Sequence, residues 1–153
     1  MVALIFTRIS VLKIIVWEKE MADFKKAWDK TSGNEGGYVN NSKDAGRETY
    51  RGITMKDHPD WEGWKIVHGA IADLGISDTL DTTGETKKRI DYALSSHTRM
   101  DELVQNLYRS EYWNALELDK EPDQLIAEQI FDTAVLMGVP ITKVFIKKAK
   151  EDV

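Results

Sequence analysis

Gly33-Asn34-Glu35-Gly36-Gly37-Tyr38-Val39-Asn40 opens the stretch that decides how this chain is read, and Asn41-Ser42-Lys43-Asp44-Ala45-Gly46-Arg47-Glu48-Thr49-Tyr50-Arg51-Gly52-Ile53-Thr54 completes it. Gly33, Gly36 and Gly37 disfavour helix and permit positive φ, so the chain turns around Glu35. Just upstream, Met21, Phe24, Trp28 and Thr31 fall at three- and four-residue steps, with Lys25, Lys26 and Asp29 between them. That pattern predicts an amphipathic helix ending at Thr31-Ser32-Gly33. Glu35 then follows a helix C-terminus, where the macrodipole disfavours an ionised carboxylate. A carboxyl group kept protonated near neutral pH is what a general acid requires. Asp44 comes after eight intervening residues, and the Thr49 hydroxyl shortly after that.

Working outward, Tyr38-Val39 and Thr49 to Met55 are β-prone segments around a polar, Gly-containing turn, which predicts a small hairpin or ribbon. Asp60 is placed to cap a helix with Trp64, Val67, Ile71 and Leu74 on its apolar face, stopped by Gly75. Ile76 to Gly84 reads as loop. Ile90, Ala93 and Leu94 suggest a short helix. Thr98 is placed to cap a stronger one carrying Met100, Leu103, Val104, Leu107 and Tyr108, ending around Tyr112-Trp113. Another starts near Pro122-Asp123, with Leu125, Ile126, Ile130, Phe131 and Ala134 on one face until Gly138 and Pro140. A terminal helix over Ile141 to Val153 completes a mostly α fold, α+β by virtue of the ribbon.

At 153 residues the chain is read as one domain with a real core, and 42% hydrophobic with 31% charged residues is ordinary for a globular protein. A net charge of −5 argues against a general nucleic-acid partner. With no cysteine, thiol catalysis, thiolate metal sites and disulfides are excluded. His58, His68 and His97 lack metal-ligand spacing and read as surface or packing residues. Val2 to Trp17 is an apolar run, shorter than a membrane span and interrupted by Arg8 and Lys13, so stable membrane insertion is not expected. Three readings stand for residues 1–20: an upstream extension from start-site choice, a weak signal or signal-anchor, and an integral folded element. The extension is preferred because Met21-Ala22-Asp23 reads as a natural start, leaving residues 21–153 as the domain.

The order helix, glycine-flanked Glu35, then Asp44 and Thr49 in a ribbon resembles the phage-type lysozymes, and more closely the family 108 glycoside hydrolases. Those are bacterial and prophage N-acetylmuramidases, some described as secretion activators. The resemblance rests on Glu35-Gly36-Gly37-Tyr38-Val39-Asn40, Asp44, Gly46, Glu48-Thr49 and Gly52-Ile53-Thr54. A second block is Tyr108-Arg109, Tyr112-Trp113, Phe131-Asp132 and Gly138. Arg47 and Arg51 depart from it, standing where smaller or uncharged residues are more usual, as does Leu136 where an Asn is expected. Many relatives also continue into a small peptidoglycan-binding domain. The resemblance implies a lysozyme-like helical domain acting at the cell wall on peptidoglycan glycan strands, with no metal or organic cofactor. It implies Glu35 as general acid, Asp44 stabilising the positive sugar or orienting water, and Thr49 helping to hold that water. Both glycosidase routes use an acid and a second carboxylate, and the partner acid's place on a separate ribbon favours the inverting route.

Each residue also has a plainer reading. Glu35 as a surface loop acid, Asp44 as an Asx-turn residue and Thr49 as an ordinary strand threonine remain open. Tyr38, Asn40 and Tyr50 are the candidate sugar contacts, with aromatic packing as the alternative for the two tyrosines. Trp61 and Trp64 read as core, and Asp132 as a hydrogen-bonding acid. A rival function is a non-catalytic protein that keeps the scaffold and serves secretion. Since residues 1–20 lack the helical stripe that begins at Met21, deleting them is expected to leave the melting curve unchanged. A drop of many degrees would show that Val2 to Trp17 packs into the core.

Overall fold

The computed structural model describes residues 21–32, 36–44 and 47–151. The expectations for residues 1–20, for Glu35 and for Gly46 lie outside the described residues. The architecture is mostly helical with one small antiparallel sheet, as the apolar periodicity predicts.

Helix α1 (Phe24–Thr31) starts at Asp23, whose side chain accepts from Lys26 N, and it buries Phe24, Ala27, Trp28 and Thr31 on one stripe. Its start is tied to helix α5 (Gln124–Met137): Ala22 N donates to Glu121 O at 2.9 Å, and Gln124 takes both the N–H and C=O of Asp23. Asp23 and Asp123 cap the two helices side by side. Between them Phe24 meets Trp113 at 5.6 Å and Phe131 at 5.7 Å, both edge to face, and Trp113 meets Phe131 at 5.8 Å. Such pairs add about 0.5–1.5 kcal/mol each beyond their burial. The Lys30–Glu128 pair across the same helices, an exposed lysine on a largely covered carboxylate, is worth about 1 kcal/mol, so the rings carry most of this junction.

Strands β1 (Tyr38–Asn40), β2 (Glu48–Tyr50) and β3 (Ile53–Thr54) form a meander in sequence order. Tyr38 pairs with Tyr50, Val39 with Thr49 and Asn40 with Glu48, while Tyr50 also pairs with Ile53. The β2–β3 connection is only Arg51-Gly52, at φ 46° and 79°; two residues of positive φ are what a type I′ hairpin turn requires. Helices α2 (Gly63–Asp73), α3 (Gly84–Ser95), α4 (Thr98–Tyr108) and α6 (Val139–Glu151) complete the body.

Several sequence expectations are corrected. Helix α2 begins with Glu62 at its cap position and no capping side chain, not with Asp60. The Trp61 ring lies over Gly63, where a Cβ would meet it at 2.2 Å, so the turns through His58 and Trp61 continue up to that point. Helix α3 runs twelve residues, because its polar first half carries no apolar stripe to read. Thr98 is the first helical residue of α4 and His97 takes the cap position without a side-chain bond. After Tyr108 the α-helix gives way to a π-helical turn, Arg109–Trp113. Met100, Val104, Tyr108 and Trp113 are buried, at steps of four, four and five; the wider turn brings the fifth-step tryptophan back to the core. On α5 the buried stripe is Ala127, Phe131 and Ala134, while Leu125 and Ile126 are 65% and 46% exposed, since α1 covers only the other flank. On α6 only Thr142 is buried.

Phe131 is fully buried against two aromatic partners, so Phe131→Ala is expected to cost about 3–5 kcal/mol in urea denaturation.

Candidate active site

The site is built where the ribbon meets α3. Asp91 accepts from Tyr38 N at 2.7 Å, and Lys87, one turn earlier, donates to Tyr38 O at 2.9 Å and to Asp91 at 2.6 Å. One helix thus takes both hydrogen-bonding groups of the Tyr38 backbone. The preceding residue has to be glycine: a Cβ on Gly37 would lie 2.1 Å from Asp91 Oδ1, and that carboxylate is not free to swing away. Two residues after Glu35, at Gly37, the chain is therefore fixed by a contact that tolerates no side chain, while at Gly36 a Cβ would meet nothing.

Alternation along the strands sorts the ribbon into two faces. Tyr38, Asn40, Glu48 and Tyr50 share one face; Val39 and Thr49 share the other. Tyr38 and Tyr50 are 1% and 3% exposed, so neither ring offers a face for a sugar to stack on, and packing is the role the structure gives them. The Tyr38 hydroxyl lies 2.5 Å from Glu48 Oε1 and 3.0 Å from Thr79 Oγ1, and Asn40 donates to the same threonine oxygen at 2.9 Å. Burial, followed by the bond to Glu48, pushes the Tyr38 hydroxyl pKa well above its ordinary value. Burial likewise raises that of Tyr50, against the opposing charge of Arg51. The second Glu48 oxygen faces His68 Nε2 at 2.9 Å, binding the ribbon to α2.

Beyond Asn40 the chain makes two tight turns. Asp44 N donates to Asn41 O, and Arg47 N to Asp44 O, both at 3.1 Å. Asn41 makes an Asx-type bond in this loop, its side chain accepting from Lys43 N at 2.9 Å, and Asp81 braces the loop by accepting from Ser42. These turns border a cleft of about 570 Å³ lined by Asn40, Asn41, Ser42, Asp44, Arg47, Glu48, Met55 and Leu80. Polar side chains and the apolar Met55 and Leu80 share the lining, a mixture that suits a saccharide, which presents hydroxyls at its edges and C–H groups on its faces. The structure brings Asp44 and Asn40 together here. Thr49, half-buried on the other face of β2, is not among the cleft's described lining residues.

A second hollow, about 340 Å³, touches Ser32, Gly36 and Gly37, the described residues on either side of the Glu35 segment, together with Arg51, Asp91 and Tyr92. Tyr92 is 76% exposed. Sequence reading missed Tyr92, Asp91 and Lys87. The available signals were an aromatic on the polar flank of α3 and the Lys87/Asp91 spacing of four, which reads equally as an ordinary helix pair. Arg51 closes this side, 5.5 Å over Trp28 and 2.8 Å from Asp101, while its carbonyl accepts from Tyr108 Oη at 2.8 Å. A left-handed residue with a Cβ costs roughly 1–2 kcal/mol, which a cation–π contact of about 0.5–2 kcal/mol and a hydrogen bond of about 1 kcal/mol offset. Asp132, expected to be a hydrogen-bonding acid, is partly buried and receives Thr31 Oγ1 at a long 3.4 Å. Trp64 is core, and Trp61 packs against it edge to face at 5.3 Å. Among the described residues no cluster of histidine and carboxylate side chains has metal-binding geometry, and no helix is long and apolar enough to cross a membrane.

The family model described as Glycosyl hydrolase 108 matches residues 28–138, a span that runs from the middle of α1 to the residue after α5 and contains Glu35, Asp44 and Thr49. Neither the curated proteins nor the solved structures gave a match.

Removing Asp91 leaves Tyr38 N–H without its acceptor, a loss of about 1–3 kcal/mol for a buried donor. Asp91→Ala is therefore expected to lower stability by about 1–2 kcal/mol, and Asp91→Asn, which keeps an acceptor oxygen, by less. Urea titration of the two variants checks the order.

Proposed function

The chain belongs to the glycosyl hydrolase 108 family, and from that premise we propose that it is an N-acetylmuramidase, cleaving the β-1,4 bond between N-acetylmuramic acid and N-acetylglucosamine in peptidoglycan. The family makes it a lysozyme-like glycosyl hydrolase with a glycan substrate. The finer assignment is supported by one observation above the others: Asp44 borders an open cleft of mixed polar and apolar lining at the ribbon's turn, within the matched span that also holds Glu35. Glu35 protonates the glycosidic oxygen. Asp44 stabilises positive charge on the sugar or orients the attacking water, and Thr49 helps to hold that water. Two carboxyl groups in these roles suffice for glycoside hydrolysis, and their separation decides the stereochemistry; the ribbon placement of Asp44 favours inversion. Asn40 contacts the substrate from the cleft wall, while Tyr38 and Tyr50 act by holding the ribbon. The place of action is the cell wall.

The test is lysis of a peptidoglycan suspension, followed by turbidity and by muropeptide release, with melting curves run alongside. Glu35→Gln is expected to fold and to lose about 10²–10⁴-fold or more in rate, the scale of a positioned general acid. Asp44→Asn keeps a hydrogen-bond acceptor but not the charge and is expected to lose roughly two orders of magnitude; Thr49→Val loses less. Wild-type lysis by a folded Glu35→Gln protein overturns the assignment and returns the scaffold to a non-catalytic role in secretion.

A further inference from the structure

Among the described residues, Arg47 is the arginine whose guanidinium has no ion-pair or hydrogen-bond partner. Arg51 is held by Asp101, Arg89 by the Leu74 carbonyl, Arg99 by Glu62 and Arg109 by Asp119. Arg47 also has a left-handed backbone, φ 58°, a conformation that suits glycine and strains a residue bearing a Cβ. Arg51 shares that handedness, but its contacts with Trp28, Asp101 and Tyr108 account for it. At Arg47 the described bond is its backbone N–H to Asp44 O, which a glycine would make equally well. What arginine adds at this position is the side chain, and the residue lies on the wall of the cleft shared with Asp44 and Asn40.

Arg47 is the one cation among the described residues that line the cleft. Glu48 on the same wall is engaged through both oxygens by Tyr38 and His68. A guanidinium presents a planar fork that matches a carboxylate. The chain as a whole carries a net charge of −5, so its overall field does not draw in an acidic polymer. Capture of an anionic group has to come from a local cation.

We propose that Arg47 binds a carboxylate of the glycan, making the cleft selective for acidic, muramoyl-type saccharides over neutral ones. The inference rests on the muramidase reading and adds to it the group that is recognised. Two sources carry that chemistry: the lactyl side group of the muramoyl residue when unsubstituted, and the stem peptide attached to it.

The experiment compares wild type, Arg47→Gly and Arg47→Lys on soluble glycan strands, either bearing stem peptides or stripped of them. Each strand is used with its carboxylates free and methyl-esterified. Binding is read by calorimetry and cleavage by reducing-end release. Wild type is expected to favour the free acid on the order of tenfold, the scale of a hydrogen bond to a charged group. Arg47→Gly is expected to lose that preference while melting at the same or a higher temperature, and Arg47→Lys to keep part of it. Preference on stripped strands assigns the lactyl group; preference confined to peptide-bearing strands assigns the stem. Equal binding of acid and ester by wild type, an undiminished preference in Arg47→Gly, or a lower melting temperature for that variant would overturn the proposal. Arg47-dependent binding without release of reducing ends would uphold it and remove the hydrolytic reading instead.

Discussion

The Tyr38 peptide is gripped at both ends by a single pair of side chains, and the ribbon depends on that grip. A three-stranded sheet of two- and three-residue strands has too little pairing to stand alone in water. Here it borrows order from helices. Lys87 and Asp91 of α3 hold Tyr38 by its N–H and C=O, His68 of α2 faces Glu48, and Tyr108 of α4 donates to the Arg51 carbonyl in the hairpin turn. Three helices thus each hold a separate strand or turn, α3 by two polar contacts and α2 and α4 by one apiece. The requirement for glycine at position 37 follows from the same arrangement, because Asp91 fills the volume that a side chain would occupy.

Of those helices, α4 is fixed to α1 and α5 by aromatic burial, while α2 and α3 join the same core through Val67, Ile71, Ile90 and Leu94. The π-helical turn after Tyr108 is where the aromatic junction is decided. An uninterrupted α-helix would rotate Trp113 away from the stripe formed by Met100, Val104 and Tyr108, because five residues exceed one α-helical turn by well over a residue. Widening the turn returns the indole to Phe24 and Phe131, and its N–H finds Asp119 at 2.7 Å. The same segment carries Tyr112 against Tyr108 at 5.2 Å, so one local irregularity joins α1, α4 and α5.

What the sequence revealed is what local periodicity encodes. The stripe and the end of α1, the start of α5 near Asp123, the ribbon and the mostly α class were all legible, because each is set by residues within a turn or two of one another, whereas the Asp23 cap of α1 was not read. The clamp was not, since Asp91 and Tyr38 are 53 residues apart and nothing local marks their meeting. The π-helical turn hid because a step of five reads as a helix ending. Leu125 and Ile126 misled because apolar character alone does not say which flank of a helix is covered. At the site, Asp44 and Asn40 were singled out one by one from the sequence, and their place on one cleft came only with the fold of the loop between them. The burial of Tyr38 and Tyr50 required knowing which face α2 and α3 would cover, and the opposite orientation of Thr49 follows from the same alternation.

The two left-handed arginines show how one backbone geometry can arise from different constraints. A type I′ turn of two residues demands positive φ at position 51 whatever stands there, and the ring of Trp28, the carboxylate of Asp101 and the hydroxyl of Tyr108 make arginine an acceptable occupant. That strain belongs to the fold. The loop at position 47 has no such constraint from packing, for the residue is exposed and its strain is not offset by contacts of its own side chain. Strain that packing leaves unrelieved is the kind that function retains. Ionic screening sharpens the point: with a Debye length of about 8 Å at physiological ionic strength, the negative charges spread over the rest of the chain act weakly inside the cleft. Asp44 and Glu48 stand on its wall beside Arg47, so a carboxylate there is held by direct hydrogen bonds to the guanidinium and not by the sign of the surrounding potential. With both Glu48 oxygens engaged by Tyr38 and His68, Arg47 is the cation that a carboxylate entering beside Asp44 would meet.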